Sequence, residues 1–155
     1  MPRNSAGLIM YRIRDGRFEV LLVHPGGPFF QNKDAGAWSV PKGEPGAGEE
    51  LFDAAQREFE EETGFKPAPP FIELSPITQK GGKVVHAWAF AGECDPVQLR
   101  SNTFTLEWPP RSGRTQEFAE VDRAEWFDLE MAKRKIKAAQ IPLIEDLQRK
   151  LCARS

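Results

Sequence analysis

With 155 residues and a formal net charge of −2, the chain has the length of one domain, expected to span 1–155, and lacks the basic excess of a general nucleic-acid binder. Its 40% hydrophobic and 28% charged residues suit a globular protein, and a local basic pocket for a small polyanion stays open. No apolar span is long enough for a membrane, Met1-Pro2-Arg3-Asn4 has no leader-like apolar region, and Cys94 and Cys152 lack metal-ligand spacing, so a cytoplasmic protein with reduced thiols is expected.

In chain order, Ser5 to Ile13 is rich in apolar residues (Ala6, Leu8, Ile9, Met10) and predicts a strand. Asp15-Gly16 supplies a hairpin turn, and Phe18 to Val23 a second strand. His24-Pro25-Gly26-Gly27-Pro28 opens a loop running to Gly36, long enough to be functional or mobile. Phe29 and Phe30 inside it read either as a hydrophobic plug or as part of a base-binding wall. Trp38-Ser39-Val40 predicts a short strand leading into Pro41-Lys42-Gly43, a corner stiffened by the fixed φ of proline.

Gly43, Gly46 and Gly48 then make a loop that can approach a ligand closely and present backbone N–H groups to an anion. Lys42 beside it is either solvated or a phosphate contact. Leu51, Ala55 and Phe59 recur at i, i+4, i+8, with no proline or glycine before Gly64, which predicts an amphipathic helix closed by a C-cap glycine. From Glu58, Glu61 and Glu62 lie three and four residues on, so three carboxylates share one helical face. Like charges so spaced destabilise a bare helix by roughly 0.2–0.5 kcal/mol per pair, and the helix dipole prefers cations at that end. Arg57 offsets part of this. Either the acidic face is solvated, or its oxygens converge on a hard cation such as Mg²⁺ or Mn²⁺.

Beyond Gly64, Lys66 to Pro70 is a proline-rich connection. Phe71 to Gln79 and Val84 to Ala91 predict strands joined through Lys80-Gly81-Gly82-Lys83, with Val85, Ala87 and Ala89 facing one way and His86, Trp88 and Phe90 the other. His86 in that setting reads as a packed, hydrogen-bonded histidine. Cys94 to Glu120 is irregular, with an edge strand possible at Thr103 to Trp108. Arg111 and Arg114 form a basic loop, either solvated or suited to bidentate phosphate recognition. Glu125 to Asp128 reads as a last strand and Leu129 to Ala139 as a helix. Another helix starts at Pro142, with Leu143, Leu147 and Leu151 on one stripe. Helices on both sides of the strands predict an α/β sandwich.

The spacing of Gly43, Glu49, Arg57-Glu58-Phe59, Glu61-Glu62 and Gly64-Phe65 resembles the Nudix box at every defining position. Elsewhere the likeness to Nudix hydrolases is one of length and element order. The resemblance implies the Nudix fold, a mixed β-sheet sandwiched between α-helices, with the box helix packed on one side of the sheet. It implies hydrolysis of a diphosphate linkage in a nucleoside diphosphate derivative. Glu58, Glu61 and Glu62 would hold Mg²⁺, or Mn²⁺, with Glu49 in support. One of these carboxylates, or an extra glutamate at Glu117 or Glu120, would orient or deprotonate the water, and Arg57 would orient a box glutamate. Lys42, Gly43, Lys83, Arg111 and Arg114 are the candidate substrate contacts. A downstream tyrosine common in dinucleoside-polyphosphate hydrolases is replaced here by the Gly81-Gly82 region, and a proline common in ADP-ribose pyrophosphatases by Lys80. Trp38 to Gly43 nevertheless looks like the entry to the box in dinucleoside-polyphosphate and diphosphoinositol-polyphosphate hydrolases. The reading leans to a nucleoside or dinucleoside polyphosphate. A diphosphoinositol-polyphosphate hydrolase and a non-catalytic nucleotide sensor are the alternatives. A small phosphorylated molecule is the expected partner, with no stable nucleic-acid complex and no membrane, for a monomer or homodimer.

Overall fold

A computed structural model describes residues 3–154; Met1, Pro2 and Ser155, the ends of the expected domain, lie outside the described residues. Strands β1 (Asn4–Arg14) and β2 (Arg17–Pro25) follow the apolar runs and meet at the Asp15-Gly16 turn, where both residues have positive φ. They pair antiparallel from Tyr11 opposite Val20 to Arg14 opposite Arg17, then diverge. Into the space beside the start of β1 comes β3 (Lys42–Gly43), with Ala6 opposite Gly43 and Gly7 opposite Lys42. On its other edge β1 runs parallel to β6 (Val84–Ala91), Asn4 opposite Val84 through Tyr11 opposite Ala91. The crossover that such a parallel pair requires contains the predicted helix, α1 (Leu51–Thr63). With β4 (Phe71–Glu73) and β5 (Ile77–Thr78) on β6, and β9 (Val121–Asp128) on β2, the mixed sheet has the order β4-β6-β1-β2-β9.

Each face of the sheet buries its own core. Val85, Ala87 and Ala89 of β6 join Ile9, Leu22 and Trp38 beneath α2 (Leu129–Lys135) and α3 (Ile141–Arg154), which contribute Ala132, Leu143, Ile144 and Leu147. On the opposite face Leu8, Met10, Leu21 and Phe90 pack against Ala54, Ala55 and Phe59 of α1. The alternation read from the sequence of β6 therefore sorts the two cores, and the expected sheet between helices is the observed one. Phe59 is fully buried and sets its ring edge-on to Phe90 at 5.3 Å. His86 is half-buried and hydrogen-bonded to Asn4 at 3.2 Å, as its apolar strand suggests. Among the described residues no helix is long and apolar enough to cross a membrane.

Several predicted elements differ. Trp38 to Val40 is no strand: Ser39 bridges to Val23 and Trp38 to Ile136, so the chain passes from one partner to another without a ladder. Phe71 to Gln79 splits into β4 and β5, because the Ser75 N–H turns away to Asp146 Oδ2 (2.8 Å) and Pro76 has none to offer. The expected edge strand is β7 (Thr103–Glu107), paired with β8 (Thr115–Ala119) in a separate two-stranded sheet whose polar sequence hid the second strand. The last strand starts four residues early, at Val121. The helix expected over Leu129 to Ala139 stops at Lys135, since Ile136 turns extended (ψ 153°) to bury its side chain and bridge Trp38; a short 3-10 turn, Ala138–Gln140, follows. Phe29 is 61% exposed, with its ring edge-on to Trp108 at 5.5 Å, so it plugs nothing.

Candidate active site

Helix α1 is fixed by its buried stripe and by its two ends. Glu50 is extended at the N-cap, and Gly64 closes the helix in the left-handed region (φ 79°), donating its N–H to the Glu60 carbonyl at 2.8 Å. Pairing of β3 with β1 then presses Gly43 against the helix. A Cβ on Gly43 would lie 2.1 Å from the Glu58 carboxyl carbon and 2.4 Å from both its oxygens. Glycine is needed here for closeness of approach.

Arg57 is the hub of the outward face. Its Nε and Nη2 donate to the two carboxylate oxygens of Glu49, each at 2.9 Å, and its Nη1 to Glu58 Oε1 and Glu61 Oε2, each at 3.0 Å. Nη2 also reaches the Glu44 carbonyl at 3.2 Å. The Arg57 hydrogen bonds, followed by the Gly46 N–H, hold the Glu49 carboxyl down at about 2. The same contacts with Glu49 push the guanidinium pKa upward. The four expected metal ligands are thus divided: Glu49, Glu58 and Glu61 gather on Arg57, while Glu62 turns inward. Among the described residues no three acidic, His or Cys side chains converge in a ready-made metal cage.

Glu62 is 9% exposed and accepts the Lys42 backbone N–H. Burial, then the charges of Glu58 and Glu120, push its carboxyl up to about 8. Glu58 is also pushed up, by burial first, although Arg57 opposes the shift. Lys42 is pushed down by burial and by nearby Lys83 and Lys137, with Glu62 and Glu44 acting against this. A cavity of about 240 Å³ opens here, its lining including Ser39, Val40, Lys42, Glu62, Glu120 and Lys137. Larger hollows lie elsewhere: one of about 390 Å³, lined in part by Phe18, Leu129 and Gln148, contains no residue of the 43–65 stretch, and one of about 530 Å³ touches only its end, at Gly64 and Phe65.

The remaining expected residues are scattered. Glu120 reaches the cavity, whereas Glu117 is exposed on β8 opposite Thr105 and outside its lining. Lys83 lies near Lys42 and pairs with Glu44 at 3.7 Å. Arg111 and Arg114 are exposed at the end of the β7–β8 hairpin and do not line the cavity. Lys137 and buried Gln140 went unnoticed in the sequence. Nothing local separates Lys137 from Lys133, Arg134 and Lys135, and a glutamine carries no periodic signal.

The donor chemistry fits a hard divalent cation. Glu58, Glu61 and Glu62 offer only carboxylate oxygen, and Glu62 is buried among like charges that a cation would relieve.

A family model described as NUDIX domain matches residues 1–147. A C. elegans Ap4A hydrolase, in a binary complex, superposes with a TM-score of 0.67 at 22% identity, covering 96% of this chain and 98% of that one. The NUDIX domain of Shewanella oneidensis NrtR complexed with ADP ribose gives 0.66 at 19% identity, covering 97% and 89%. In sequence, an octanoyltransferase of Myxococcus xanthus is 30% identical over 131 residues, 84% of this chain. The chain spans about a third of that relative, 32% of its length.

Proposed function

Since the chain belongs to the Nudix hydrolase family, we propose that it hydrolyses the diphosphate linkage of a nucleoside or dinucleoside polyphosphate with the help of Mg²⁺, or of Mn²⁺ in its place. The observation that carries this is the meeting of Glu62 and Glu120 with Lys42 around one cavity, with the charge of Glu58 acting on Glu62 and a Gly43 beside Glu58 that leaves no side chain in the way. Glu58, Glu61 and Glu62 would hold the ion, which when bound neutralises charge on the phosphate oxygens and polarises the phosphorus.

The chain's own groups do the rest. Lys42 binds a phosphate oxygen of the substrate. Arg57 keeps Glu58 and Glu61 in place by hydrogen bonds of 3.0 Å, while Glu49, held by two more, braces Arg57. Glu120, which reaches the cavity without an ion-pair partner among the described residues, is the carboxylate assigned to take the proton of the attacking water. One P–O bond forms from that water and the anhydride P–O bond breaks, leaving two phosphate products. Lys83 adds positive charge beside Lys42, in keeping with a highly phosphorylated substrate. The protein would act in the cytoplasm on a small molecule, as a monomer or homodimer.

Phosphate release with Mg²⁺ across nucleoside triphosphates, dinucleoside polyphosphates, nucleotide sugars, ADP-ribose and diphosphoinositol phosphates tests the reading. A preference for nucleoside or dinucleoside polyphosphates that disappears in Glu62→Gln is expected. Turnover surviving that substitution unchanged would overturn the metal assignment. A preference for diphosphoinositol phosphates would replace the substrate class, and nucleotide binding without turnover would replace the hydrolase with a sensor.

A further inference from the structure

The connection between α2 and α3 is bolted to the chain segment that enters the cavity. The Lys137 N–H donates to the Trp38 carbonyl at 2.8 Å, and its own carbonyl accepts the Gln140 N–H at 2.8 Å. Gln140, fully buried, accepts the Val40 N–H on Oε1 at 3.0 Å and donates from Nε2 to Ser39 Oγ at 3.1 Å. Ile136, 1% exposed, anchors the other side. These contacts leave residue 137 little freedom of backbone position, and its side chain lines the same cavity as Lys42.

The charges in that cavity are arranged in an unusual way. Lys137 is close enough to disfavour the charge of Lys42, and Glu120 that of Glu62. Yet among the described residues neither lysine forms an ion pair with either carboxylate, although all four line the same space. Two lysines brought to one cavity by the backbone, neither tied up in an ion pair there, can take an anion between them. A cavity of about 240 Å³ accommodates phosphate groups there but not a nucleoside as well.

We infer that Lys137 is a phosphate-binding residue, delivered by the α2–α3 connection to grip, together with Lys42, a phosphate group of the substrate. This rests on the phosphate-handling reading of the cavity and extends it: affinity resides in the phosphates, with the nucleoside held outside. The helices that cover the sheet thereby also supply a site residue.

Methylene diphosphonate, whose P–C–P bridge resists hydrolysis, probes this directly by calorimetric titration of the full chain with and without Mg²⁺. Lys137→Met is expected to weaken binding roughly tenfold, the scale of one charge-assisted contact. Lys137→Arg should retain most of the affinity, and Arg134→Ala, on exposed α2 surface, all of it. In steady state Lys137→Met should raise KM with kcat changed less than threefold, at an unchanged melting temperature. Binding within twofold of wild type in Lys137→Met, or no diphosphonate binding by the wild type, overturns the inference. If the wild type binds diphosphonate in a Lys137-dependent way but turns over no substrate, the inference stands and the hydrolase reading fails. If it turns over substrate and Lys137→Met matches it in KM and binding, the inference alone fails.

Discussion

Glu62→Gln is expected to make the metal-free protein more stable at pH 8 while leaving it nearly unchanged at pH 5. The Glu62 carboxyl rises from an ordinary 4.5 to about 8 in the folded chain. A folded-state value above the unfolded one means the folded protein holds the extra proton. The associated stability is fully present below pH 4.5 and is lost as pH climbs toward about 8. At about 1.4 kcal/mol per pH unit the whole window gives a ceiling of roughly 5 kcal/mol; water entry and side-chain relaxation reduce this to about 2–3 kcal/mol. Glu49 does not interfere, because its carboxyl, held at about 2, contributes stability that is lost only at lower pH. Glutamine at position 62 has the same shape and can still accept the Lys42 N–H, but it never ionises. Urea denaturation in EDTA at pH 5, 6, 7 and 8 should show the wild type weakening steadily and Glu62→Gln weakening much less, the remainder belonging to Glu58, whose carboxyl burial also raises. Saturating Mg²⁺ should remove the wild-type decline by favouring the carboxylate. A wild type level across this range, or a mutant declining in parallel, would refute the argument.

Gly43→Ala is expected to cost about 1–3 kcal/mol by overpacking, and at least a hundredfold in kcat/KM, because its Cβ would lie 2.1 Å from the Glu58 carboxyl carbon; an alanine enzyme with wild-type kinetics would disprove the close approach. Phe59→Ala, which empties a fully buried site against Phe90, should cost about 3–5 kcal/mol in chemical denaturation. His24 is fully buried between Asp122 (2.9 Å from Nδ1) and the Lys33 carbonyl (2.6 Å from Nε2), so His24→Leu should leave the Lys33 carbonyl unmet, leave Asp122 with only Arg123 (3.9 Å), and loosen the 26–36 loop. A loss of about 2–3 kcal/mol is expected, with faster amide exchange over that loop, and unchanged exchange there would count against the anchoring role.

Local regularity made part of this molecule readable. The spacing of Leu51, Ala55 and Phe59, closed by Gly64, located α1, and Val85, Ala87 and Ala89 against Trp88 and Phe90 identified the two faces of β6. What escaped depends on contacts between distant segments. Glu117 and Glu120 are indistinguishable as letters; the first lies on β8 opposite Thr105, while the second follows the strand's end and reaches the cavity. Trp38 to Val40 has the composition of a strand, yet its hydrogen bonds are divided between Val23 and the chain beyond α2. Lys137 belongs to a run of basic residues read as helix, and only the early turn at Ile136, driven by burial of that side chain, brings it to Lys42.

The same division explains why the acidic end of α1 is tolerated. Glu58, Glu61 and Glu62 occupy the final turns of the helix, where its dipole disfavours anions, and the last turn carries no basic residue. A sequence selected for helix stability alone would place lysine or arginine there. Arg57 binds its neighbour Glu58 and, one turn on, Glu61, but Glu62 is buried instead beside Lys42 and is pressed by Glu58 and Glu120. The local rule is broken most severely at the carboxylate nearest the cavity, while the buried stripe of the helix, two residues of it at 0% exposure in Ala55 and Phe59, supplies the stability that permits it. A divalent cation held as proposed by Glu58, Glu61 and Glu62 would displace the proton that burial keeps on Glu62, and would meet a carboxyl group the fold has already fixed in position.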